Sequence, residues 1–245
     1  MRKFACYPLF ISFFFALSCN ISYKAENIQY SSYRIQHTVD ENKSVKSIIK
    51  PYSDSINKLM NVVIGYNELT LERKRQGNTL GFFITDAYLE MEKQKVDPQA
   101  DVAFMNPGGI RLPELPASAI TQGKIYELMP FDNLMVILKV KGSLLKQYLD
   151  TLAASEGIIG SGMSLQIVNK TTQQVMVGHK PIDLNAEYTI VNSDYVVNNS
   201  GLLKNMDRKT SGYLLRDAIL DYVRFVNANG KKITVSNTDR ISYVN

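Results

Sequence analysis

Two short apolar runs frame this chain: Val102-Ala103-Phe104-Met105 and Leu134 to Val140. Each has the length and bulk of a buried strand. The first runs straight into Asn106-Pro107-Gly108-Gly109-Ile110-Arg111, and the second is preceded by Pro130-Phe131-Asp132-Asn133. Glycine turns at strand ends are where α/β proteins place ligands. The rest of the chain has to supply helices and strands around these two.

The composition allows this. Of 245 residues, 45% are apolar and 21% charged, which excludes disordered, collagenous and low-complexity classes. Lys and Arg number 28 against 23 acidic residues, a net +5, with no dense basic run, so no nucleic-acid partner is implied. The chain holds two His and two Cys. His37 and His179 cannot furnish a catalytic zinc or a dinuclear metal centre, and each reads as an exposed side chain. No cofactor or metal site is expected in this chain.

Residues 1–18 read as a signal peptide. Arg2 and Lys3 precede an apolar stretch from Phe4 to Leu17, too short to span a bilayer comfortably. It ends in Ala16-Leu17-Ser18-Cys19, which resembles a bacterial lipobox with Cys19 as the lipidated residue; the alternative is ordinary cleavage near Ser18. Cys6 leaves with the leader, so no disulfide framework is expected. Residues 19–32 form a polar tether, and 33–245 one mixed α/β domain. The expected setting is an exported, periplasmic or cell-surface lipoprotein held to a bacterial membrane by its N-terminal lipid.

Along the domain, Tyr33 to Val39 reads as a strand. Asp40-Glu41-Asn42 caps a helix from about Lys43, with Val45, Ile48, Ile49, Tyr52, Ile56, Leu59 and Met60 at helical spacing and a kink expected at Pro51. Val62 to Leu71 reads as a strand. Asn78 or Thr79 caps a helix whose apolar face is Leu80, Phe83, Ile84, Ala87, Tyr88 and Met91. Ser143 to Ala154 is a helix, followed by a glycine-rich loop at 157–162. Leu165 to Val177 forms a hairpin about Asn169-Lys170, and Tyr188 to Asn192 a strand. Thr210 or Ser211 caps a helix running to about Val226, and strands at 233–235 and 241–244 close the chain.

Three constellations carry chemistry. Asn106 and Arg111, around the backbone of Gly108 and Gly109, offer an amide, a close approach and a planar fork suited to phosphate or carboxylate. Phe131 stands in a polar turn where it can stack on a planar ring, with Asn133 available to a base edge or ribose hydroxyl. Arg73-Lys74-Arg75 lies just ahead of a helix N-terminus, a natural anion site. Each also has a plain structural explanation: a tight turn, a core Phe pinned by Pro130, a solvated charge run. Together they offer phosphate and base recognition. Asp86 reads as a structural hydrogen-bonding group and Tyr195 as a core residue.

The order Arg75…Leu80-Gly81…Asp86-Ala87, Asn106-x-Gly-Gly-Ile-Arg111 and Pro130-Phe131-x-Asn133, with Asp194-Tyr195-Val196-Val197-Asn198 near the end, resembles the C-terminal domain of the 5′-nucleotidase/UDP-sugar hydrolase family. The resemblance covers about residues 33–245. It implies an α+β fold with four layers, α/β/β/α, that binds a nucleoside monophosphate or related nucleotide. Asn106, Arg111 and a basic residue at Arg73 or Arg75 would meet the phosphate, with Gly108 and Gly109 lining it. Phe131 would form one face of a base clamp, with Asn133 and Asn198 nearby.

Two departures follow. The family's Gly-Gly-Asp-Gly loop and second aromatic are replaced by Asn198-Asn199-Ser200-Gly201-Leu202-Leu203. The metallophosphoesterase motifs Asp-x-His and Gly-Asn-His do not occur, and the stretch between Cys19 and Tyr33 is too short to hold such a domain. The expectation is the nucleotide-recognition half of a split, metal-dependent 5′-nucleotidase. A separate metallophosphoesterase chain would carry the divalent ions, and this chain would contribute no catalytic residue. The alternatives are a stand-alone exported binding protein for a nucleotide or sugar phosphate, or a surface lipoprotein that keeps only the fold.

Overall fold

The computed structural model describes residues 29–33, 40–155, 157–235 and 239–244. Cys19, the leader, most of the tether, His37 and the strand expected to Val39 lie outside the described residues. The chain divides into two units, residues 1–48 and 49–245. Asn42 caps the opening of helix α1 (Lys43–Met60): its Oδ1 accepts from the Ser44 and Val45 amides at 3.1 and 3.2 Å. The helix runs on through Pro51 as one element, and none of its residues is buried.

The second unit is built on a five-stranded sheet ordered β12-β6-β11-β3-β7. Its strands are β3 (Val102–Phe104), β6 (Leu134–Lys141), β7 (Gly160–Ser161), β11 (Glu187–Ser193) and β12 (Arg208–Leu214). β11 runs parallel to β3 and antiparallel to β6, with Ile190 opposite both Val102 and Leu138. A four-stranded sheet, ordered β10-β9-β8-β13, comprises β8 (Met163–Val168), β9 (Thr171–Val177), β10 (Lys180–Pro181) and β13 (Ile241–Val244). The β8–β9 turn has Asn169 and Lys170 at φ 48° and 63°, the paired left-handed residues of a type I′ hairpin.

Alternation along the central strands divides the interior into two cores. Val102, Phe104, Val136, Leu138 and Ile190 face one core; Ala103, Met135 and Val191 face the other. The second of these cores is filled by helix α2 (Thr79–Lys95) and helix α6 (Leu215–Ala228). The first is closed by helix α4 (Gly142–Ala154) and the four-stranded sheet. This is the mixed α+β fold expected, with helix α4 packed against strands of both sheets. Helix α2 is buried on several sides: Leu80, Phe83, Ile84, Ala87, Tyr88 and Met91 face one core as read from the sequence, while Phe82 faces the other.

An ion pair locks α2 to the chain end. Arg240, 7% exposed, donates to Asp86 at 2.6 and 3.1 Å and to Ser161 Oγ at 2.9 Å, and its guanidinium lies 4.8 Å from the Phe82 ring centroid. Asp86 is therefore structural, as expected. At the neighbouring β-turn Gly162 is at φ +84°, and a Cβ there would stand 2.0 Å from the Asp101 carbonyl oxygen. Only glycine fits that crossing.

Several elements differ from the sequence reading. The expected strand 62–71 is two pieces, β1 (Val63–Tyr66), paired with residues 119–121, and β2 (Leu71–Glu72), because after Tyr66 the chain turns to a single bridge between Asn67 and Ile233. Thr210 and Ser211 lie in β12, where Thr210 pairs with Val136, so α6 starts at Leu215 without a side-chain cap. At 233–235, Ile233 makes an isolated bridge to Asn67 in place of a strand. The short pieces β4 (Glu114–Leu115), β5 (Ala119–Thr121), helix α3 (Gln122–Leu128) and helix α5 (Asp194–Asn199) were not foreseen.

One buried group is unbalanced. Glu92 on α2 is fully buried, and neither carboxylate oxygen has a hydrogen-bond partner among the described residues. Burial pushes its pKa up to about 7; the Asp97 charge adds to this and Lys209 opposes it. The folded protein therefore keeps this proton up to about pH 7, whereas an unfolded chain gives it up near 4.5. The stability tied to the proton is complete below pH 4.5 and is lost as pH rises through 7, an effect of up to about 3 kcal/mol. Thermal melts from pH 4.5 to 8 should show Glu92→Gln gaining on the wild type as pH rises. Parallel pH profiles for the two proteins would contradict this.

Candidate functional site

The cleft forms where three chain segments meet. β2 delivers Arg73-Lys74-Arg75, the end of β3 delivers Pro107 and Gly108, and the segment after α4 delivers Ser155, Gly157, Ile158 and Ile159; together they line a cleft of about 530 Å³. That is the size of a small-molecule site. Asn78 also lines it as the N-cap of α2, accepting from the Gly81 amide at 2.8 Å. Three cations and a helix N-terminus thus converge on one concavity, which suits an anion. These donors are cationic and do not suit a divalent metal ion. Among the described residues no group of three His, Cys, Asp or Glu could hold one.

The glycine turn is held by its backbone. Pro107–Gly109 is one turn of 3₁₀-helix, with the Gly109 amide donating to the Asn106 carbonyl at 3.1 Å and the Met105 amide to the Ile159 carbonyl at 3.1 Å. Arg73 is fastened to the same turn: Nη1 donates to the Ile110 carbonyl at 2.6 Å. Its other guanidinium donors remain available to the cleft. Asn106 wraps the turn, its Nδ2 lying 3.4 Å from where a Gly108 Cβ would sit, and its amide makes no hydrogen bond among the described residues. A Cβ on Gly109 would press on the Met105 terminal methyl at 2.6 Å.

A second locus adjoins the first through Gly108. Exposed Arg111 reaches the Gly108 carbonyl at 3.4 Å, and its guanidinium lies 5.8 Å from the Phe131 ring centroid. Phe131 is 38% exposed, so it is not the core residue its Pro130 neighbour allowed. Its turn is held from α6, a tie the sequence did not reveal. Buried Arg216 donates to the Phe131 carbonyl at 3.3 Å and to Asp132 at 2.5 Å, and lies 4.3 Å from the Tyr126 ring centroid. Half-buried Asn133 fixes the turn's exit: its carbonyl accepts from the Leu215 amide at 3.0 Å.

The Asn198 region differs most from expectation. Residues 194–199 form α5, capped by Ser193, whose Oγ accepts from the Val196 amide at 3.0 Å. Arg208 donates to the Asn198 Oδ1 at 2.6 Å. Tyr195 is 56% exposed rather than in the core. Leu203 is fully buried and Leu202 packs beside that core, so neither offers a second stacking face.

Sequence reasoning missed Tyr243. Its hydroxyl is buried without a hydrogen-bond partner among the described residues and stands 2.9 Å from where a Cβ on the cleft residue Gly157 would be. Burial pushes the phenol pKa up, and the nearby Arg75 charge pulls against that rise. Arg73, bonded to the Ile110 carbonyl, stands at the glycine-turn side of the cleft. His179 is exposed at φ +66°, as read.

Comparison with known proteins accords with the geometry. The family model for the 5′-nucleotidase, C-terminal domain, matches residues 55–207. A 5′-nucleotidase of Vibrio parahaemolyticus is 27% identical over 184 residues, covering 70% of this chain and 32% of that protein. The crystal structure of a 5′-nucleotidase precursor from Thermus thermophilus superposes with a TM-score of 0.70 at 25% identity, over 82% of this chain and 43% of that one. The NAD nucleotidase of Haemophilus influenzae shares the fold, with a TM-score of 0.64 at 17% identity over 84% of this chain and 42% of that one. The chain spans about a third of the length of the Vibrio relative. It belongs to the 5′-nucleotidase C-terminal domain family.

Proposed function

We propose that this chain is the nucleotide-recognition half of a metal-dependent 5′-nucleotidase, acting with a separate metallophosphoesterase chain that carries the divalent ions. One observation carries the reading: the Arg73–Arg75 cluster and the glycine turn share one cleft, and Arg111 links that turn to an exposed Phe131. In this reading Arg73 and Arg75 hold the phosphate with the Asn106 amide, each charged hydrogen bond worth roughly 1.5–3 kcal/mol. Phe131 stacks on the base, adding roughly 0.5–1.5 kcal/mol beyond burial. Asn133 stands beside the ring for a base edge or ribose hydroxyl.

These groups bind and orient a phosphomonoester but none of them makes a nucleophile from water. A two-metal centre supplies that nucleophile and steadies the leaving oxygen. A signal peptide at residues 1–18 and lipidation of Cys19 would place the chain outside the cytoplasm on a membrane. Among the described residues no helix is long and apolar enough to cross one. The loss of the second ring at Leu202-Leu203 favours the other reading, a binding protein without turnover.

The purified chain from Asn20 onward should bind AMP in calorimetry, yet release no phosphate with Mn²⁺, Co²⁺ or Zn²⁺ alone. Adding the metallophosphoesterase chain of the same organism should start the release. Binding with no such chain able to start it would leave only the binding protein.

Phosphate and base contacts separate by ligand. Arg75→Ala should weaken AMP roughly tenfold or more and leave adenosine unchanged, the first effect being that of one lost charged hydrogen bond. Phe131→Ala should weaken both ligands by a few-fold. Calorimetry that finds Arg75→Ala equally harmful to adenosine would refute the assignment.

A further inference from the structure

The second half of α1 carries an apolar face that nothing in the described chain covers. Ile49, Tyr52, Ile56 and Leu59 follow one another at spacings that put them on one side of the helix, and they are 53, 71, 54 and 61% exposed. The surface continues beyond the helix: Val62, Val63, Tyr66 and Leu69 are 46–68% exposed. The helix end is fastened to the domain. Val62's carbonyl accepts from the Gln122 amide at 2.9 Å, and Gly123 lies so close to Met60 that a Cβ would meet its carbonyl oxygen at 3.0 Å. Single exposed apolar residues are ordinary; a run of this extent marks a surface that something else covers.

We propose that this face, centred on Ile56 and Leu59 and continuing onto Val62 and Val63, is the docking surface for the metallophosphoesterase chain; the inference rests on the function proposed above. Three observations select that occupant. The family match begins at residue 55, inside α1, and the family is a C-terminal domain. The match covers only 32% and 43% of two of the relatives, and a domain described as C-terminal leaves the rest of such a protein to come before it. A separate chain that supplies the remainder belongs at the same junction.

The face passes from a helix onto the strand β1. Its charge agrees. Between Ile49 and Met60 the charges are Lys50, Asp54 and Lys58, with Lys50 bonded to Asp54 at 2.7 Å, so little is left to draw an anionic lipid surface. The face also lies near the ligand. Leu69 is four residues before Arg73, no more than roughly 14 Å of chain.

The test uses the chain from Asn20 onward with Ile56→Glu and Leu59→Glu together, both at exposed positions. The variant should keep the wild-type circular dichroism and an AMP Kd within twofold. At limiting metallophosphoesterase chain its phosphate release should fall at least tenfold and recover as that chain is raised. Lys58→Glu, on the opposite side of the helix, should leave the partner requirement unchanged. On the wild-type chain, adding the partner should slow amide exchange across residues 49–63, a readout that needs no variant.

Release started equally well by the partner with both Glu residues in place, or no change in exchange at 49–63, would overturn the docking face alone. So would a wild-type dimer in light scattering that the variant breaks, or capture of the wild type by phosphatidylglycerol vesicles that the variant abolishes. Failure of every metallophosphoesterase chain to start release would overturn the functional reading and the docking face together.

Discussion

β3 is covered on both sides: Val102 and Phe104 enter one core and Ala103 the other, none more than 2% exposed. The strand is hydrogen-bonded to β11 on one edge and β7 on the other. A segment held this way cannot shift without opening both cores, so its C-terminal end is firmly fixed. The glycine turn grows from that end. Helix α2, packed into the same interior and tied by Asp86 to Arg240, fixes the second point, its N-cap at Asn78. Arg73-Lys74-Arg75 lies just before it. The cleft is the gap between two rigid anchors, which is how a small site keeps its geometry without covalent staples.

The electrostatic arrangement is one-sided. Cations gather at the cleft while a buried carboxylate, Glu92, lies further along the same helix and carries its proton toward neutral pH. Arg111 lies near the Phe131 face that a base would cover, so binding exchanges a cation–ring contact at 5.8 Å for stacking. The gain from that exchange is modest. Phosphate contacts therefore dominate affinity in this account, and the buried Leu203 leaves the base with one aromatic face.

Much of this was legible from residues. The buried runs, the Asn78 cap, the Asn169-Lys170 hairpin and the apolar face of α2 follow from local pattern, and the motif order pointed to the family. What was hidden depends on distant partners. Arg216 reads as an ordinary helix residue, yet it is buried under Tyr126 and holds the Phe131 turn across 85 positions. Tyr243 reaches Gly157 only because β13 joins β8 in parallel. Thr210 and Ser211 look like caps, but the edge of β6 recruits that stretch as a strand. Tyr195 read as a core residue and Asn198 as a neighbour of the base, whereas a short helix leaves Tyr195 exposed and sets the Asn198 Oδ1 against Arg208.

A crystal structure of the chain bound to AMP tests the central claim most directly. The account predicts the phosphate in the cleft within hydrogen-bond distance of Arg73 or Arg75 and of Asn106, with the adenine laid on Phe131 where the Arg111 guanidinium now rests. A nucleotide whose phosphate lies away from these arginines, or whose base leaves Phe131 bare, would contradict it.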